Sequence, residues 1–371
     1  MPKILSVFGT RPEAIKMCPL ILELQNSDSL ESVVCVTGQH KEMLAQVLDV
    51  FNIEPDYNLN IMRPRQTITS ITSDVLTGMS DVLSTVKPDV VLVHGDTTTS
   101  MATALASFYA HVPIGHVEAG LRTYNKYSPF PEEINRVTIS HLADFHFAPT
   151  EKNKIALQAE GIHSGIYVTG NTVIDSFKTT IKKNYIFNNK IINTIDFSRK
   201  VILLTAHRRE NIGIPLKNIC EAILSICEEH PDVTILYPVH MNPAVREIVE
   251  PILSTSTQVF LTDPIDVTDM HNLIDKCYLI MTDSGGLQEE APHLGKPVLV
   301  LRTETERPEA VDAGTVKVVG VEKNNIIEET RRLLKEPQVY EQMSCAINPY
   351  GDGRASERIC AILNSEVIYE K

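Results

Sequence analysis

The stretch C-Y-L-I-M-T-D-S-G-G-L-Q-E-E-A-P at residues 277–292 reads as a buried strand that runs into a helix across a glycine turn. Tyr278, Leu279, Ile280 and Met281 form the short apolar run expected of a parallel strand covered on both faces. From Leu287 onward the pattern is helical. Between them Gly285 and Gly286 let the backbone approach a ligand with no Cβ in the way, and the N–H groups and positive dipole end of the helix favour an anion. Glu290, four residues past Gly286, stands where a carboxylate could accept from ribose hydroxyls, as an acid does in other nucleotide folds. The same residues also fit an ordinary helix start, with Ser284 as N-cap and two acids near the dipole. On this stretch alone both readings stand.

Outward from it, apolar runs alternate with helix-period segments along the whole chain, the pattern of α/β layering on parallel sheets. Candidate strands lie at 4–8, 33–37, 90–94, 114–117, 145–148 and 167–169, then at 201–205, 234–237, 259–261, 278–281, 298–301 and 317–319. Helical patterns between them include 13–24, 41–50, 70–86, 98–109, 132–142 and 152–160. At 371 residues the length predicts two domains. They are placed at 1–183 and 201–352, joined by a polar, Asn-rich linker at 184–200, with a last helix in 353–371 packing back on the first. The expected fold class is α/β: two doubly wound Rossmann-like domains facing a central cleft, where open parallel sheets bind ligands.

A formal net charge of -13 argues against a nucleic-acid partner, which needs a basic face. A local group of Arg and Lys can still hold phosphates. No apolar stretch approaches the length of a membrane span and the first residues lack a signal-peptide pattern, so a cytoplasmic protein without a membrane partner is expected. The seven cysteines show no C-x-x-C spacing and read as free thiols.

Every candidate for chemistry follows a strand. Arg11 and Lys16, after the first, can face an anion together. Asp96, Glu118 and Glu132, beside His207, make a general acid/base set next to a phosphate. Singly, Asp96 and Glu132 also read as helix-end acids, His94 and His116 as satisfied histidines at the core's edge, and Glu133 as solvated. His94-x-Asp96 and His116-x-Glu118 could suggest a metal, but residues two apart on a strand share a face for many reasons. Neither metal nor cofactor is expected. The first strand is followed by G-T-R-P-E-A instead of G-x-G-x-x-G, which argues against a nicotinamide dehydrogenase.

The motifs carry the reading further. G-T-R-P-E-A-I-K (9–16), V-L-V-H-G-D-T-T-T (91–99), H-V-E-A-G-L-R-T (116–123), P-E-E-x-N-R (131–136), T-G-N-T-V-I-D (169–175), H-R-R-E-N (207–211), Y-P-V-H (237–240), T-D-S-G-G-x-Q-E-E-A-P (282–292) and E-R-P-E (306–309) together resemble the bacterial non-hydrolysing UDP-N-acetylglucosamine 2-epimerases, in order and over essentially the whole chain. The resemblance implies a glycosyltransferase-B-like fold, a homodimer and an isomerase that interconverts UDP-GlcNAc and UDP-ManNAc. The implied route is anti elimination of UDP to a 2-acetamidoglucal followed by re-addition, supplying surface polysaccharide or teichoic acid. It implies Asp96, Glu118 and Glu132 as acid/base carboxylates and His207 near the diphosphate. Substrate contacts are implied for Arg11, Lys16, Met270, Ser284, Gly285, Gly286, Glu290 and Arg307. A second UDP-GlcNAc, bound as activator, is implied at Gln39, Glu42, Arg65, Glu132, Arg208 and His240. Met270 stands where many members have an aromatic residue, Glu42 where Gln is common, and Arg302-Thr303-Glu304 in place of R-D-T. The rivals are a hydrolysing epimerase, a glycosyltransferase of the same fold and a sugar-nucleotide sensor without turnover.

Overall fold

In a computed structural model of the chain, the alternating pattern builds two parallel sheets, each within its own compact unit. The structure describes all residues except Gln39, His40, Pro64, Glu306, Glu370 and Lys371, and only the backbone at 41–43 and 368–369. No helix among the described residues is long and apolar enough to cross a membrane.

The first unit comprises Met1–Thr179 and Tyr350–Lys371. Its strands are β1 (Lys3–Phe8), β2 (Glu31–Val36), β3 (Tyr57–Asn58), β4 (Val90–His94), β5 (Ile114–Val117), β6 (Phe145–Ala148) and β7 (Ile166–Val168), in the order β3-β2-β1-β4-β5-β6-β7. Every pairing is parallel. The centre is covered on both faces, so β4 is buried at every position, His94 included. Each Val, Leu or Ile removed from water there contributes about 1.5–3 kcal/mol. Strand β3 has only two residues, held to Cys35 and Val36 at the sheet edge, and so brief a segment leaves no periodic trace in the sequence.

The last helix, Ala355–Tyr369, belongs to this unit. The buried Asp175 carboxylate accepts from the N–H of Ala355 at 3.2 Å and of Ser356 at 2.8 Å, capping the helix start. Gly170 allows the chain to return here. Its φ is +90°, and an added Cβ would lie 3.2 Å from the Tyr350 carbonyl oxygen and 3.4 Å from the Gly351 Cα.

The second unit is Thr180–Pro349. It holds β8 (Lys200–Thr205), β9 (Val233–Pro238), β10 (Val259–Thr262), β11 (Leu279–Thr282), β12 (Val298–Val300) and β13 (Val316–Val318), in the order β10-β9-β8-β11-β12-β13. Residues 184–200, read from the sequence as a linker, lie in this unit. Phe187 is buried and stacks on Phe197 at 5.8 Å, while the buried Asp269 carboxylate accepts from the N–H of Asn188 and Asn189 and from the Tyr185 hydroxyl. The packing uses scattered apolar residues with no regular period, which is why the stretch reads as polar coil.

In each sheet the strand order reverses once, between β1 and β4 and between β8 and β11. At such a switch point the following loops diverge to opposite faces and open a crevice at the carboxyl ends of the strands. The residues after these four strands are those the motifs single out.

Candidate active site

In the first unit the loops after β1 and β4 are joined by a buried carboxylate. Glu13, in the first turn of the Arg11–Gln25 helix, accepts through Oε2 from the N–H of Gly9 at 3.0 Å and of Thr10 at 2.7 Å. Through Oε1 it accepts from the hydroxyls of Thr97 at 2.7 Å and Ser100 at 3.0 Å. Burial raises the pKa of Glu13, and the hydrogen bonds from Thr97, Thr10 and Gly9 oppose that shift.

Glu118, just past β5, has a left-handed φ of +65°, a conformation that costs a residue with a Cβ on the order of 1 kcal/mol. Its Oε2 is in an ion pair with Lys16 Nζ, accepts from Asn171 Nδ2 at 3.0 Å and lies 3.8 Å from His94 Nε2. Lys16, expected beside Arg11 on an anion, is thus bonded to a carboxylate in this structure. His94 is neutral: burial lowers its pKa to about 4 although the Glu118 charge pulls it upward. His116 is neutral for the same reason, at about 3, and its Nε2 donates to the Gly95 carbonyl at 2.7 Å, bracing the turn before Asp96.

The Glu132–Leu142 helix supplies the rest. Asp96 forms an ion pair with Arg136, and its carbonyl accepts from Asn135 Nδ2 at 2.8 Å. Glu132, half-buried, opens the helix one turn before Arg136. Glu133 is buried, contrary to the solvated position expected. Its carboxylate accepts from the N–H of Thr123 at 3.0 Å and Tyr124 at 2.8 Å and fixes the loop after β5. Carboxylates held beside ammonium and guanidinium groups, partly shielded from water, can exchange protons with a bound molecule.

In the second unit Asp283, fully buried at the end of β11, plays the organising part. Its Oδ2 accepts from the N–H of His207 and Arg208, both at 2.8 Å, and from Asn211 Nδ2 at 3.0 Å. The His207 ring stacks on His240, centroids 5.2 Å apart and 7° from parallel, with Nδ1 3.6 Å from Asp283 Oδ1. Desolvation is the largest influence on His207 and lowers its pKa, against the pull of Asp283.

The glycine turn opens the Gly285–His293 helix, and Ser284 makes no side-chain capping bond there. A Cβ on Gly285 would lie 3.9 Å from both Arg208 Nη2 and Arg307 Nη2, so two guanidinium groups converge on the turn. Arg307 is also in an ion pair with the buried Glu289. Glu290 lies against Gly286, with Oε1 3.2 Å from that residue's would-be Cβ, and its Oε2 is 3.6 Å from His271 Nε2. Met270 precedes His271 on the Val267–Lys276 helix. The turn therefore combines a helix N-terminus, two cations and a carboxylate one helical turn on, the makings of a diphosphate seat with a hydroxyl acceptor beside it.

Of the residues expected at an activator pocket, Gln39 and the side chain of Glu42 lie outside the described residues, as does Glu306 of the last motif. Arg65 is exposed with a φ of +59°, Arg208 is at the glycine turn and His240 lies under His207. Sequence reading passed over Glu13, Arg136, Asn171, His271 and Asp283 as working residues. A signal existed for two of them: Glu13 stands three residues after Thr10 in a capping-box pattern, and Arg136 follows Glu132 by four, on one helix face. Among the described residues no group of three or more His, Cys, Asp or Glu is placed to hold a metal ion.

The family described as UDP-N-acetylglucosamine 2-epimerase matches residues 22–364. A Thermotoga maritima relative is 58% identical over 360 residues, covering 97% of this chain and 95% of its own. The Bacillus subtilis protein named UDP-N-acetylglucosamine 2-epimerase is 52% identical over 370 residues, covering 100% and 97%. The crystal structure of UDP-GlcNAc 2-epimerase from Neisseria meningitidis bound to UDP-GlcNAc superimposes with a TM-score of 0.89 at 51% identity, covering 98% of this chain and 100% of that one.

Proposed function

Because the chain belongs to the UDP-N-acetylglucosamine 2-epimerase family, we propose that this isomerase interconverts UDP-GlcNAc and UDP-ManNAc without net hydrolysis, by eliminating and re-adding UDP. The observation that carries the reading is the pairing of Asp96 with Arg136 and of Glu118 with Lys16 directly after two adjacent strands, β4 and β5. The C2 hydrogen of the sugar has no neighbouring carbonyl to acidify it. The C1–O bond must therefore begin to break first, its electron pair leaving with UDP while positive charge builds at C1. A carboxylate then takes the C2 proton and the C1=C2 bond of a 2-acetamidoglucal forms. Re-addition delivers a proton to the other face of C2 while the UDP oxygen bonds again to C1.

The residues divide this labour. Arg208, Arg307 and the N–H groups of the 285–293 helix stabilise the departing diphosphate, each well-placed donor contributing roughly 3–4 kcal/mol to the transition state. His207 stands beside them, Glu290 accepts from the ribose, and Met270 contacts the base. Asp96, Glu118 and Glu132 hold and move the proton, and Arg11 completes the anion contacts. The enzyme works as a cytoplasmic homodimer that supplies ManNAc units for a surface polysaccharide or teichoic acid, and sedimentation of a monomer only would count against the dimer.

A proton NMR time course in heavy water tests the chemistry. UDP-ManNAc appears with deuterium at C2, and UDP-GlcNAc recovered at equilibrium carries the label too. Accumulation of free ManNAc would make the enzyme hydrolytic, and an unlabelled C2 would rule out elimination. Gln39, Glu42, Arg65 and His240, with Glu132 and Arg208 shared with the reacting substrate, serve a second UDP-GlcNAc that activates turnover. Arg65→Ala is then expected to flatten the dependence of forward rate on UDP-GlcNAc while the saturated rate changes less, and unchanged cooperativity would refute the assignment.

A further inference from the structure

We infer that Asn171 is a positioning residue of the active site, whose carboxamide aims Glu118 and holds it in the charged form needed to accept a proton. The inference rests on the reading above, in which Glu118 exchanges protons with the sugar. Asn171 lies in the T-G-N-T-V-I-D motif, for which the reaction as described has no use.

Bonds to three different partners hold this residue, one from its backbone and two from its side chain. The Asn171 N–H donates at 2.7 Å to the carbonyl of Tyr350, the residue at which the chain re-enters the first unit. Its Oδ1 accepts from the N–H of Val173 at 3.2 Å, capping the short 172–175 helix. Nδ2 is left to donate to Glu118 Oε2 at 3.0 Å. With the residue 2% exposed, the amide cannot turn to water instead. The capping bond also settles which amide atom faces the carboxylate, since the oxygen is committed to Val173.

The contact matters because of what else surrounds Glu118. Lys16, from the Arg11–Gln25 helix, meets the same oxygen, Oε2. From β4 comes His94, a neutral ring. Beyond His94 lies the Arg136–Asp96 pair, from the 132–142 helix and the β4 turn. Lys16 brings a cation to Glu118 on a long side chain with several rotors. Asn171 adds a short, neutral donor that leaves the net charge unchanged, fixes the direction of the carboxyl group and favours its ionised state. A carboxylate on a strained left-handed residue needs such a fixed partner to keep its aim.

The test separates aim and charge from stability. Asn171→Asp keeps the backbone bond to Tyr350 and the cap on Val173, for which Asp is as good as Asn, but sets a second carboxyl against Glu118. Asn171→Ser keeps the cap and removes the donor. Forward kcat and KM are measured from mildly acidic to mildly alkaline pH for both variants, the wild type and Glu118→Gln, with thermal midpoints alongside. The acid limb of the kcat profile is expected to move up by roughly one pH unit or more in Asn171→Asp, because two carboxyls sharing a site cannot both ionise readily. In Asn171→Ser it moves the same way by less, and KM stays within about twofold in both, since ground-state binding is not what is lost. A purely structural role would lower the thermal midpoint and leave the limb in place. If Glu118→Gln is inactive while both Asn171 variants keep the wild-type limb and kcat, this inference is wrong and the reading of Glu118 survives. If Glu118→Gln turns over like the wild type, the reading fails and takes this inference with it. Should Asn171→Asp not fold, Asn171→Ser decides by the same limb.

Discussion

Asp96→Asn is expected to lower kcat by on the order of a thousandfold, within the range a positioned acid or base supplies, while UDP binds within a few-fold of wild type. The two carboxamide and carboxylate side chains have the same shape, so the turn after β4 keeps its geometry: the carbonyl of residue 96 still accepts from Asn135, and His116 still braces Gly95. What disappears is the charge opposite Arg136. A carboxamide neither takes a proton from C2 nor returns one, and it leaves the guanidinium without its counter-ion. Affinity for UDP is preserved because the groups assigned to the nucleotide, the Ser284-Gly285-Gly286 turn with Arg208, Arg307 and Glu290, belong to the other unit. The measurements are coupled kinetics for kcat, calorimetry with UDP, and the rate of C2 labelling from heavy water. Labelling and epimerisation fall together if Asp96 handles the proton. Turnover within tenfold of wild type would remove Asp96 from the chemistry. A loss of UDP affinity as large as the loss of kcat would make it a binding residue.

The fold was readable because parallel strands buried on both faces leave apolar runs, and runs such as 90–94 and 114–117 coincide with β4 and β5 at both ends. Strand β3 escaped because two residues at a sheet edge need only a neighbour's hydrogen bonds and no apolar period. Candidate residues that follow strands were legible from position, and each sheet's own switch point gathers some of them: Asp96 after β4 in the first unit, His207 after β8 and the glycine turn after β11 in the second, while Glu118 follows the neighbouring β5. The residues that hold those groups in place were not. Asn171 reaches Glu118 from 53 positions along the chain, and Asp283 gathers the N–H groups of His207 and Arg208 from more than 70 away. Such partnerships depend on which loops the sheet order brings together, and no local pattern encodes them. Glu133 shows the converse error: a helix-start acid looks solvated until the loop that donates to it is in view.

Replacement of Glu13 has the largest expected effect on stability, and its size depends on the substituent. Glu13→Ala removes the acceptor of four donors and leaves a cavity at the switch point of the first sheet. Two of those donors have other partners within reach. The single Ser100 hydroxyl proton can go instead to the His94 carbonyl at 2.7 Å, and Thr97 Oγ1 can turn to Ser100 Oγ at 3.2 Å. The backbone N–H groups of Gly9 and Thr10 have no such choice, and stranding a buried donor costs about 1–3 kcal/mol. With the cavity added, the expected loss is roughly 4 kcal/mol, a fall of about 10 °C in the thermal midpoint for a unit of this size. Glu13→Gln behaves differently. The amide oxygen takes the two backbone donors, and the amide N–H groups donate to the hydroxyl oxygens of Thr97 and Ser100, which can accept as readily as they give. Glu13 has a pKa raised by burial, so ionisation works against the fold. Its stabilising share is complete below the unfolded-state value and is lost as pH rises through the folded one. Glu13→Gln, permanently neutral, lacks that loss and should match or exceed the wild type on the alkaline side. Thermal unfolding of both variants across pH checks the argument. Equal destabilisation by Ala and Gln would show that charge, and not acceptor geometry, joins these two loops.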